Sequence, residues 1–70
     1  MSATARMERN SKLVARAEEL LSDASDWAAW YAQHAMEGRA EDAAGDLARF
    51  EHQVRLALDQ LGQVELGERK

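Results

Sequence analysis

From Leu13 onward the larger apolar residues and alanines recur as Leu13, Ala17, Leu20, Ala24, Trp27 and Tyr31, at steps of four, three, four, three and four. A side chain returns to the same side of an α-helix every 3.6 residues or so, and alternating threes and fours therefore lay one apolar seam along a helix. Val14, Leu21, Ala28 and Ala35 stand one position beyond successive seam members and widen the stripe to the face of a helix packed in a bundle. A second seam follows. Ala43, Leu47, Phe50, Val54, Ala57, Leu61 and Val64 again step by four and three, with Leu58 beside them. The pattern predicts an all-α chain of two amphipathic helices, over residues 11–37 and 40–64.

Between the seams, Gly38 can take the left-handed conformation that closes a helix, and Glu41 and Asp42 open the next one favourably against its dipole. Folding back at Gly38 pairs Leu13 with Val64, Ala17 with Leu61, Leu20 with Ala57 and Ala24 with Val54. The same register sets Trp27 opposite Phe50, Tyr31 opposite Leu47 and His34 opposite Ala43. Small residues meet large ones in three consecutive layers, which fills the space between close helices. The expected architecture is thus an antiparallel two-helix hairpin. Asn10 or Ser11 is a candidate N-cap, with residues 1–10 either flexible or extending the first helix. Gly45 falls outward in the second helix at a cost of about 1 kcal/mol, or else marks a later start for it. Residues 65–70 offer little to bury and read as a disordered tail.

Composition makes this core thin. Of 70 residues 46% are apolar, but 14 are alanine, which leaves 18 larger apolar side chains. One hairpin buries a single stripe per helix, which offsets the conformational entropy of folding poorly. A second copy packed by twofold symmetry would cover the margin as a four-helix bundle. Val14, Leu21, Ala28, Phe50 and Leu58 are the expected dimer-interface residues, and a homodimer or an obligate heterocomplex the expected state.

Thirteen acidic against nine basic residues disfavour nucleic acid, since a phosphate backbone demands a positive field. No run approaches the roughly 20 apolar residues of a membrane span, and Met1–Lys12 lacks an apolar signal-peptide core. With no cysteine, the expected location is the cytoplasm. Little here promises catalysis. His34 and His52 are the only imidazoles, and His34 with Glu37 makes two metal ligands without a third. No carboxylate is expected on either seam, where desolvation would tune it for acid–base work, and no glycine loop cradles a phosphate. Neither an enzyme nor a cofactor is expected.

Trp27, Trp30 and Tyr31 crowd one end of the first helix. Trp27 and Tyr31 are seam positions, whereas Trp30 sits on the seam's edge, either capping the core or anchoring a partner. Residues 21–46 carry Asp23, Asp26, Glu37, Glu41, Asp42 and Asp46 against Arg39 alone, a net charge of minus five. Such a segment is either a solvated acidic face or a docking tip steered toward a basic groove. The candidate partner-binding residues are Trp27, Trp30, Tyr31, His34, Arg39 and Asp42.

In length, in an aromatic-bearing first helix (Trp27, Trp30, Tyr31) and in an alanine-and-leucine second helix, residues 11–64 resemble the small quorum-sensing anti-activator proteins of Mu-like Pseudomonas phages. The resemblance implies a dimer that sequesters a host regulator. That family's turn-side tyrosine has no placed counterpart here. The hairpin is also similar in layout to the co-chaperones of type III secretion needles, which implies a heterocomplex. In shape it resembles the plasmid copy-control hairpin that binds RNA, although the basic face of that protein has no evident match.

Overall fold

The computed structural model describes residues 3–66, folded as two helices, α1 (Ala3–Met36) and α2 (Ala40–Gly62), packed antiparallel. Thirty-four residues at about 1.5 Å each span about 51 Å, and the long dimension of the molecule is 53 Å. Residues 1–2 and 67–70 of the expected flexible ends lie outside the described residues.

The bend forms as the glycine requires. Gly38 has φ of +75°, the Gly38 N–H donates to the Ala35 carbonyl at 3.2 Å, and the Arg39 N–H donates to the His34 carbonyl at 2.9 Å. These two bonds are the Schellman closure, which satisfies carbonyls that the end of α1 leaves without helical partners. Helix α2 begins at Ala40, not near Gly45, with Glu41 and Asp42 in its first turn.

Helix α1 starts well before the expected cap. Asn10 is an interior helical residue that turns its amide across to the chain after α2. Its Nδ2 donates to the Glu65 carbonyl at 2.7 Å, its Oδ1 accepts from the Glu65 N–H at 3.0 Å, and Arg9 pairs with the Glu65 carboxylate at 3.2 Å. Glu65 is therefore held at the open end of the hairpin rather than released into a tail.

Between the helices lie Ala17, Leu20, Ala24, Ala43 and Ala57, all buried, with Leu13, Trp27, Phe50, Val54 and Val64 half-buried. Four of the five buried apolar residues are alanines, so the helices approach closely and little apolar area leaves water. On α1 the seam is the expected one, except that Tyr31 is exposed.

On α2 the seam is turned. Ala43, Phe50, Ala57 and Val64 face inward as expected, but Asp46, Gln53 and Gln60 share the seam, and Leu47 and Leu61 are each 40% exposed. Residues three and four beyond a seam position lie about 50° to either side of it, and only the opposing helix decides which side turns in. Here His34 meets Asp46 instead of Ala43, giving the carboxylate a partner. Asp46 is 5% exposed, which corrects the expectation that no acid sits on a seam.

The accessible surface is 5417 Å². A compact monomer of 7.8 kDa exposes about 4400 Å², so the single hairpin shows roughly 1000 Å² more than its mass requires.

Candidate functional site

An antiparallel pair of helices has two flanks, and the turn of α2 makes them chemically different. Helical spacing puts Val14, Leu21 and Ala28 of α1, all exposed, on the side of Ala35, and Leu61 of α2, also exposed, on the side of Leu47. Near the turn this flank opens into a hollow lined by Tyr31, Ala35, Ala40, Ala43, Ala44 and Leu47. Leu58 is also exposed, further round α2. Of the expected interface residues, Phe50 alone lies in the seam, half-buried.

The opposite flank is polar and aromatic. Its base is the pair of Asp46 and His34: the imidazole Nδ1 donates to the carboxylate Oδ2 at 2.5 Å, and both side chains are largely shielded from water. The His34 ring in turn stacks on Trp30, with ring centroids 5.6 Å apart and planes 25° from parallel. A buried carboxylate thus orients an imidazole, and the imidazole backs an indole that is 52% exposed. Trp30 stands outside the seam, its ring stacked on that of His34.

Beside it, Trp27 is half-buried beneath the guanidinium of Arg49, whose Cζ lies 5.0 Å from the ring centroid. The guanidinium lies over Gly45, where an added Cβ would come within 3.2 Å of Arg49 Nη1. Gly45 thus leaves room for an arginine one helical turn on to reach an aromatic ring of the other helix, a contact attractive by cation–π electrostatics. Two hollows open on this flank. One is lined by Trp27, Gly45, Ala48, Arg49, His52 and Gln53, the other by Asp23, Asp26, Trp27, Trp30 and Gln53. Gln53 Oε1 is buried and has no hydrogen-bond partner among the described residues.

The six candidate partner-binding residues are therefore divided. Trp27, Trp30 and His34 share the aromatic flank, whereas Tyr31 lines the apolar one. Arg39 and Asp42 form an ion pair at the turn, 2.6 Å apart, with Glu37 3.7 Å from the same guanidinium. Asp46, Arg49 and Gln53 join the aromatic flank although the apolar pattern alone did not select them. The legible signal was a glycine four residues before an arginine, Gly45 and Arg49, on a helix folded against a tryptophan.

His34 and Asp46 supply the base and orienting group of a nucleophilic triad, yet among the described residues no hydroxyl bonds to His34, whose side chain contacts Asp46 and Trp30. Glu37 accepts from Gln33 at 3.1 Å instead of joining His34. No group of three or more His, Asp or Glu residues placed to hold a metal occurs among the described residues. Nor is any described helix long and apolar enough to cross a membrane. Comparison of the chain with protein-family models, curated proteins and solved structures gave no match.

Proposed function

We propose that the chain is a non-enzymatic, self-associating protein-binding module of the cytoplasm. Two hairpins pack through their apolar flanks into a four-helix bundle, which turns both aromatic flanks outward to hold, and so sequester or inhibit, a partner protein. The observation that carries this reading is the segregation of exposed side chains, with leucine, valine, alanine and Tyr31 on one flank and Trp30, Arg49 and the carboxylates of Asp23 and Asp26 on the other. The surplus surface of about 1000 Å² supports it, since a specific interface takes about 800 Å² from each partner. The outward indoles support it as well: tryptophan gives large contact area for little lost conformational freedom and is enriched at binding hot spots. Partner sequestration is also what the resemblance to phage anti-activators implies.

The test is affinity capture from bacterial lysate with the wild-type chain and with Trp30→Ala. Trp30 is outside the core, so the variant keeps its helicity by circular dichroism and loses the captured protein. Equal capture by both chains contradicts the reading. A regulator or enzyme as the captured species supports inhibition; a secretion subunit would make the chain a co-chaperone, and RNA released steeply by added salt would make it a copy-control type.

A further inference from the structure

We propose that the hollow formed by Asp23, Asp26, Trp27, Trp30 and Gln53 is a receptor for a guanidinium group, the side chain of an arginine presented by the partner protein. The inference rests on the protein-binding reading and specifies the chemistry of its aromatic flank.

The hollow lacks a cation, and its polar lining is rich in acceptors. Asp23 and Asp26 make no side-chain hydrogen bond or ion pair among the described residues. Gln53 completes the lining, with its Oε1 buried. The walls are indoles. Trp30 is backed by the His34 ring, so an incoming group meets a platform already in position.

The same flank already holds one guanidinium on an indole. Trp27 lines both hollows of this flank, and in the neighbouring one Arg49 already lies over its ring. In the Asp23 and Asp26 hollow no such cation is present in the lining. Guanidinium matches the site better than ammonium: it is flat enough to stack on an indole and carries a fork of donors that fits the two oxygens of a carboxylate. The net charge of minus five over residues 21–46 draws such a group toward this end of the hairpin.

The experiment follows the indole N–H signals of Trp27 and Trp30 by NMR during titration with three blocked peptides. They are identical except for arginine, lysine or citrulline at the central position, citrulline being the uncharged isostere of arginine. The arginine peptide should move the Trp30 signal saturably and bind at least about fivefold more tightly than either control. The double variant Asp23→Asn/Asp26→Asn, altered only at exposed positions, should keep its helicity and weaken arginine binding about tenfold. Equal responses to arginine and lysine, or unchanged binding by the double variant, would overturn the receptor. Partner capture that depends on Trp30, together with indifference to the arginine peptide, sinks this inference alone. Capture that ignores Trp30 sinks the protein-binding reading whatever the peptides do.

Discussion

Asp46 carries more of the local order than its size suggests, because its carboxylate is the only buried acidic group among the described residues and it sets the imidazole against which Trp30 rests. Replacing it with alanine leaves His34 Nδ1 facing the seam unpaired, at a cost of about 1–3 kcal/mol. Asp46→Ala is expected to lose that much stability in urea unfolding at fixed protein concentration and to change tryptophan emission; Asp46→Asn, which still accepts a hydrogen bond, should recover most of it. Wild-type stability in the alanine variant would refute the role. Gly45 gives the opposite sign. Alanine there gains about 1 kcal/mol of helix propensity, and its Cβ meets only the far end of a flexible arginine, 3.2 Å away. Gly45→Ala should therefore unfold at a higher denaturant concentration while the near-ultraviolet signal of Trp27 changes. A loss of stability would mean that Arg49 cannot yield.

Both helices were legible from apolar spacing, and the left-handed bend from Gly38, because a seam of threes and fours and a lone glycine between two seams have few other solutions. The first seam was read correctly over Leu13 to Trp27. What spacing could not decide was the rotation of α2, since Asp46 and Leu47 flank the seam symmetrically and only a partner on the opposite helix makes the aspartate the better inward choice. The apolar pattern leaves residues 1–10 either flexible or extending α1, for a related reason. Asn10 has the side chain of an N-cap, but its hydrogen bonds go to a residue 55 positions away. The candidate site was half visible: the tryptophans and the acidic segment could be seen, whereas Arg49, Gln53 and Asp46 enter only through the fold. The clasp is testable. Asn10→Ala removes two hydrogen bonds that hold Glu65 and should cost about 1 kcal/mol. Hydrogen exchange should accelerate at the Glu65 amide and leave Ala57 in the core nearly unchanged. Equal acceleration at both sites would show that the open end and the core unfold as one unit.

The whole molecule is an open two-layer object, 53 Å long and 14 Å across at its thinnest, and a single layer of contact between two helices shields only one stripe on each. Its buried apolar interior is four alanines and Leu20, which is little apolar area to set against the ordering of more than sixty residues. The leucines displaced by the rotation of α2 are not wasted in a dimer, where Leu47 and Leu61 would face the second copy along with Val14 and Leu21. Sedimentation equilibrium at micromolar concentration tests this most directly. Twice the chain mass of 7.8 kDa is expected, and Leu21→Glu or Leu47→Glu should halve the mass and lower the helicity together. A wild-type chain that sediments at 7.8 kDa with its helices fully formed would contradict the bundle.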